Sequence, residues 1–85
     1  MTMMHTITVV LDAQAATIQR LLGVVRRRGF ELMRLDVSRT CSDGLFQARL
    51  RVRGSRRAET LIRQIANIVE VQQVALIQAA SIRAA

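Results

Sequence analysis

Arginine is the residue type in this 85-residue sequence with the most chemistry to offer. The sequence has 13 basic residues, every one of them arginine, against 6 acids, which gives a formal net charge of +7. Guanidinium groups bind carboxylates and phosphates through paired hydrogen bonds. The charge therefore predicts an acidic protein surface or a polyanion as the partner.

Candidate catalytic residues are few and scattered. His5 is the only histidine, so a catalytic triad or a histidine-ligated metal site would lack its other members. Cys41, the only cysteine, cannot form an internal disulfide, and no general base can be assigned to it. The acids stand singly, and the glycines are too far apart for a phosphate-binding loop. We therefore expect no catalytic residue, no metal site and no enzyme activity in this chain.

Apolar residues alternate between the period of a strand and that of a helix. The pattern predicts the order β-α-β-β-α-β, with strands at residues 6–11, 30–40, 46–53 and 68–77, a first helix capped by Asp12, and a second helix capped by Ser55 and ending at Asn67. Gly29 should end the first helix in a left-handed conformation, and Gly44 should close a hairpin turn.

Two β-α-β units with right-handed crossovers interleave into a four-stranded antiparallel sheet with both helices on one face. The sequence thus predicts an α+β, ferredoxin-like domain over residues 1–78 and a flexible tail over residues 79–85. Unpaired sheet edges favour a homodimer. The uncovered sheet face is predicted to bind a partner through Arg34, Arg49, Arg51 and Arg53.

The sequence also lacks targeting signals. No stretch reaches the roughly 18 apolar residues that a membrane span requires, and the N-terminus has no secretory pattern. We therefore expect a cytoplasmic protein without membrane contact.

Two segments match a known family. Residues 16–30 contain an interior helix glycine and end in Arg27, Arg28, Gly29 and Phe30, and residues 64–74 continue the match at the end of the second helix. These motifs resemble the ACT domain of the small regulatory subunits of acetohydroxyacid synthase, also called acetolactate synthase. The ACT topology is the one that the strand and helix periods predict.

The resemblance implies a non-catalytic subunit that binds and activates the catalytic subunit of that enzyme in branched-chain amino acid synthesis. Thiamine diphosphate, Mg²⁺ and FAD would be held by the catalytic subunit, and this chain would hold no cofactor. Because the sequence spans one ACT unit, it is similar to the short form associated with the second enterobacterial isozyme.

The resemblance also implies an amino-acid-binding loop before the first helix, formed here by Asp12, Ala13, Gln14, Ala15 and Ala16. In the family an Asn and a Gly of this loop contact the ligand, and these positions hold Ala13 and Ala16 here. A missing side-chain amide and an added methyl group oppose ligand binding. We expect weak or absent valine feedback.

Two alternative functions follow from the same fold. A basic ferredoxin-like sheet is also the scaffold of the RNA-recognition motif, although the third strand carries Gln and Arg where that motif has stacking aromatics. A free-standing amino-acid sensor of ACT type is the other alternative. The altered loop argues against the sensor, so nucleic acid and free amino acid are both less favoured than a protein partner.

Overall fold

The computed structural model describes residues 2–40 and 44–81, the last four as backbone alone. The elements follow the predicted order: β1 (Met3–Asp12), α1 (Ala15–Arg27), β2 (Glu31–Arg39), β3 (Leu45–Gly54), α2 (Ala58–Ala66) and β4 (Val71–Ser81). The strands form one antiparallel sheet in the order β2-β3-β1-β4. The predicted α+β ferredoxin-like fold is confirmed.

The core lies between one face of the sheet and the two helices. Alternate residues of the two central strands point into it, because successive side chains of a strand face opposite sides of the sheet. The largest fully buried apolar side chains come from both central strands and both helices: Ile7, Val9, Leu11, Leu50, Val52, Leu21, Val25, Leu61 and Ile65. The helices therefore cover one sheet face, and the other face is open, as predicted.

The helical spacing of Ile18, Leu21, Leu22 and Val25 predicts the buried stripe of α1, and the structure rotates this stripe slightly. Leu21 and Val25 are buried together with Thr17 and Val24, whereas Ile18 and Leu22 only flank the core. Both sets of positions lie within one apolar arc of the helix, and contact with the sheet decides which part of that arc is buried. The hydroxyl of Thr17 has no hydrogen-bond partner among the described residues.

Neither helix is capped as predicted. Gln14 and Arg57 occupy the N-cap positions, and neither side chain makes a capping hydrogen bond. Asp12 is instead the last residue of β1 and accepts a hydrogen bond from Gln72 at 3.2 Å. Ser55 also precedes the true N-cap. The predicted caps come too early because a short bend separates each strand from the following helix.

A bulge in β2 interrupts the alternation of its side chains. Leu32 pairs with Val52 and Arg34 pairs with Arg51, so Met33 is an extra residue between the two pairs. An extra residue shifts the alternation of side chains by one position. Strict alternation predicts Leu32 on the same face as Arg34, Asp36 and Ser38, but Leu32 lies beside the buried Val52 and so on the core side. The predicted faces are right from Arg34 onward.

The last strand begins and ends later than predicted. The Val71 amide donates to the Ile68 carbonyl at 3.0 Å, and this turn delays the strand to Val71. The strand then continues to Ser81, where it pairs with Met3. The sheet thus includes backbone that was predicted to lie in the tail. Residues 82–85, the rest of that predicted tail, lie outside the described residues.

Candidate functional site

The predicted arginines share the open face of the sheet. Arg51 lies beside Arg34 of β2, and Arg49 lies beside Asp36. With Thr6 of β1 these side chains line a shallow cavity of about 250 Å³. The structure therefore brings together the residues that the alternation of β2 and β3 had placed on one face.

Two of the four predicted arginines are matched by acids on that face. Arg34 Nε donates to Asp36 Oδ2 at 2.8 Å, and Arg53 Nη2 donates to the two Glu31 oxygens at 2.6 and 2.9 Å. Exposed pairs of this kind contribute roughly 0–1 kcal/mol each. Arg49 and Arg51 form no ion pair among the described residues, so the open face is of mixed charge with an unmatched centre.

The described part of the open face offers no aromatic ring. Phe46 packs against the core, and Phe30 is buried. RNA-binding modules of this shape stack bases on aromatic side chains of the open face. The arrangement of the described residues therefore argues against the RNA-binding alternative.

The motif at the end of α1 has a clear packing role in two of its residues. Gly29 has a φ of +83°, a conformation that favours glycine, and its amide donates to the Arg26 carbonyl at 3.1 Å. The Phe30 ring lies so close to Gly54 that a Cβ on that glycine would stand 2.8 Å from it. Gly29 thus ends the helix, and Gly54 admits the ring that closes this end of the core. Arg27 and Arg28 are exposed.

The predicted ligand loop uses much of its backbone internally. The amides of Asp12 and Ala13 donate to the carbonyls of Glu70 and Gly44, each at 2.9 Å. The Gln14 amide donates to the Asp12 carbonyl at 2.8 Å. Three of the five loop amides are therefore occupied, and the two that begin α1 belong to alanines with no polar side chain to offer a ligand.

A groove runs between α1 and the segment before β4. Its cavity of about 630 Å³ is lined in part by Gly23, Val24, Val69 and Glu70. Arg20 of α1 donates a hydrogen bond to the Glu70 carboxylate. This hydrogen bond, reinforced by one from the backbone, holds the pKa of Glu70 below its ordinary value. The ion pair therefore links α1 to the segment before β4 while Glu70 is charged.

His5 is the other candidate catalytic residue that the structure describes, and it is buried within the sheet. It is 5% exposed, and its ring meets the Phe30 ring edge-on with centroids 5.9 Å apart. Although it stands close to the N-terminus, it lies within β1, which begins at Met3. Cys41 lies outside the described residues. Within the described ranges, no group of three or more His, Cys, Asp or Glu side chains could hold a metal ion.

Family and structural comparisons agree with this geometry. A family model described as the ACT domain matches residues 13–74, which include both helices, β2, β3 and the start of β4. The chain belongs to the ACT domain family. This ACT domain is 32% identical over 81 residues to a probable acetolactate synthase small subunit of Archaeoglobus fulgidus, and the match covers 94% of this chain and 51% of that protein. The resemblance found in the sequence is confirmed.

Solved structures repeat the fold at lower identity. The acetolactate synthase small subunit of Thermotoga maritima matches with a TM-score of 0.75 at 22% identity, covering 88% of this chain and 47% of that one. The ACT domain from the GTP pyrophosphokinase of Chlorobium tepidum matches with a TM-score of 0.75 at 15% identity, covering 91% of this chain and all of that one. The ACT domain thus spans about half the length of both small subunits.

Sequence reasoning missed two features of these surfaces. The pairing of Arg34 with Asp36 follows from their common face, but the approach of Arg53 to Glu31 depends on the bulge in β2. The groove beside α1 depends on the course of the chain before β4, which the apolar run had assigned to a strand.

In the part of the chain that the structure describes, no helix is long and apolar enough to cross a bilayer.

Proposed function

We propose that this ACT domain is a non-catalytic regulatory subunit that binds the catalytic subunit of an acetohydroxyacid synthase and raises its activity. The observation that carries the proposal is the similarity to an acetolactate synthase small subunit along 94% of the chain. The reaction served would join pyruvate to a second 2-oxo acid at the start of branched-chain amino acid synthesis. Thiamine diphosphate, Mg²⁺ and FAD would be held by the catalytic subunit.

Activation places a thermodynamic demand on the partner interface. The regulatory subunit must bind the active conformation of the catalytic subunit more tightly than the inactive one, because equal affinity for both would shift nothing. The unmatched arginines of the ACT domain supply surfaces on which such a difference can arise. Arg49 and Arg51 on the open face form the docking surface proposed from the sequence, and charge reversal at both tests it.

The proposal includes a homodimer through a sheet edge. β2 is an edge strand, so one side of its backbone has no neighbouring strand within the chain. Leu32, Met33 and Val37 are exposed along it, at 38%, 44% and 41%. Pairing of two β2 strands would satisfy the backbone groups and cover these side chains.

Valine feedback is proposed to be weak or absent. The loop of residues 12–16 lacks the side-chain amide of the family, and it uses the amides of Asp12, Ala13 and Gln14 within the protein. We expect isothermal titration with valine to give no dissociation constant below about 0.1 mM, which corresponds to roughly −5.5 kcal/mol. Tighter binding would contradict the proposed loss of feedback and would favour an amino-acid sensor.

Reconstitution tests the proposed function directly. The purified chain would be mixed with the acetohydroxyacid synthase catalytic subunit of the same organism, and acetolactate formation would be measured with and without valine. We expect the chain to raise the rate in a saturable manner and valine to leave that rate unchanged. A folded chain that neither binds the catalytic subunit nor changes its rate would refute the proposal.

A further inference from the structure

Four arginines converge where α1 ends and α2 begins. Arg27 and Arg28 end the first helix, and Arg56 and Arg57 precede the second. Together with Phe30 and Thr60 they line a cavity of about 410 Å³ that opens to solvent. We call these four residues the arginine corner. The corner lies in the helical layer, so it is separate from the open face of the sheet.

One of these side chains lies against the backbone at the end of α1. An ideal Cβ at Gly29 would stand 3.0 Å from Arg56 Nε and 3.3 Å from its Cδ, so the Arg56 side chain lies directly over the glycine. The positive φ of Gly29 turns the chain away from α1 and opens this space. The same glycine therefore ends the helix and seats an arginine from the other side of the corner.

Charges in the corner are poorly matched. Arg27, Arg28 and Arg56 have no ion pair among the described residues. Arg57 has only a distant contact with Glu59, at 3.9 Å between two highly exposed side chains. The other ion pairs of the described residues are formed elsewhere, on the open face and beside the α1 groove. Nearby acids among the described residues therefore leave most of the positive charge of the corner unpaired.

Complementarity to the helix dipole explains only half of the corner. Cations near a helix C-terminus are favourable, which accounts for Arg27 and Arg28 as a solvated helix end. Arg56 and Arg57 stand at the N-terminus of α2, where cations are unfavourable. Arg57 is also the N-cap, and a guanidinium group has no acceptor with which to cap the free amides. Folding alone would favour Ser or Asp at these positions.

We propose that the arginine corner docks an acidic segment of the catalytic subunit, carrying two or more carboxylates. This inference rests on the proposed function and adds a second docking surface to it. Arginine is enriched and lysine depleted at protein interfaces, and each guanidinium can bind a carboxylate through two hydrogen bonds. Carboxylates placed here would also meet the free amides of the α2 N-terminus. Phe30 is buried beneath the corner and cannot stack on a nucleic acid base.

The test reverses the charges that the fold does not need. The variant R56E/R57E, in the full chain, places acids at the start of α2, where they favour the helix dipole, so it should be at least as stable as the wild type. We expect its affinity for the catalytic subunit of the same organism to fall by about tenfold or more, with a weaker salt dependence. The matched control is R39E/R63E, which makes the same change in net charge at two exposed arginines outside both the corner and the open-face docking surface, and it should bind nearly as the wild type does.

Binding is measured by isothermal titration and activation by acetolactate formation, with thermal unfolding of each variant as the check on folding. If the wild type binds and R56E/R57E binds equally well, or loses no more affinity than R39E/R63E does, the corner is not a docking surface and the proposed function stands without it. A wild-type chain that does not bind the catalytic subunit would refute the proposed function and this occupant together. The wild type and R56E/R57E would also be titrated with inorganic pyrophosphate and with single-stranded RNA, without the catalytic subunit. Binding of either probe that is lost in R56E/R57E would overturn the acidic segment as the ligand of the corner.

Discussion

Replacement of Gly23 by alanine should stabilise the domain. Gly23 lies in the interior of α1, and an ideal Cβ at this position meets no heavy atom within 4 Å. Glycine in a helix interior is less favourable than alanine by about 1 kcal/mol, partly because it leaves the unfolded chain more conformational freedom. Since nothing in the described structure opposes the added methyl group, we expect Gly23→Ala to raise the free energy of unfolding by about 1 kcal/mol.

Urea and thermal unfolding, followed by circular dichroism, would measure this gain. In a domain of 60–100 residues, about 1 kcal/mol corresponds to a rise in Tm of roughly 4–8 °C. The matched control is Gly29→Ala, which makes the same chemical change but should have the opposite effect on stability. Gly29 has a φ of +83°, and its Cβ would stand 3.0 Å from Arg56 Nε, so we expect this variant to lose about 1 kcal/mol or more.

The pair of glycine variants makes the reasoning refutable. If Gly23→Ala lowers the free energy of unfolding, α1 cannot have the free space that its geometry shows. If both variants shift stability in the same direction, backbone conformation is not what separates the two positions. A more stable Gly23→Ala chain would also show that Gly23 lowers the stability of the fold, although packing among the described residues does not require a glycine there. Gly23 lines the groove beside α1, so the assay for binding to the catalytic subunit should be repeated with this variant.

Two further predictions concern polar side chains. His5 is buried, and neither ring nitrogen has a hydrogen-bond partner among the described residues, so His5→Leu should raise the free energy of unfolding by about 1 kcal/mol in a urea titration; a loss of stability would show that the ring has a partner. The pKa of Glu70 is lowered in the fold by Arg20, so its stabilising effect is present above about pH 4.3 and disappears as the pH falls through the folded pKa. Unfolding measured from pH 7 to pH 3 should therefore show a shallower acid loss in Glu70→Gln, and an unchanged slope would count against the pair.

The central strands could be predicted from sequence because their environment is simple. Each has one face on the core and one in solvent, so apolar and polar residues alternate without interruption through Phe46, Ala48, Leu50 and Val52. Gly29 was predictable for a related reason, since a glycine after a helical stripe and a run of arginines indicates a left-handed end. The local sequence pattern was sufficient to predict the structure where a single constraint, burial of one face or termination of a helix, determined it.

The edge strands were harder to predict because other constraints compete there. The bulge at Met33 depends on the pairing of β2 with β3, which a single-strand pattern does not contain. The start of β4 depends on a turn that keeps Ile68 packed against the core, although its sequence is as apolar as a strand. The arginine corner depends on two helix ends that are far apart in sequence.

The ligand loop and the arginines support the same proposal by independent routes. Side chains alone suggested that the loop of residues 12–16 has lost its ligand, and the structure adds that three of its amides already have partners. An amino acid that claimed those amides would have to break hydrogen bonds that contribute about 0.5–1.5 kcal/mol each. If the domain binds no amino acid, then under the proposed function its affinity for the catalytic subunit does not depend on the valine concentration. Activation should then be constitutive, and its strength should be set by the charges of the docking surface, so that salt rather than valine changes the rate of the reconstituted enzyme.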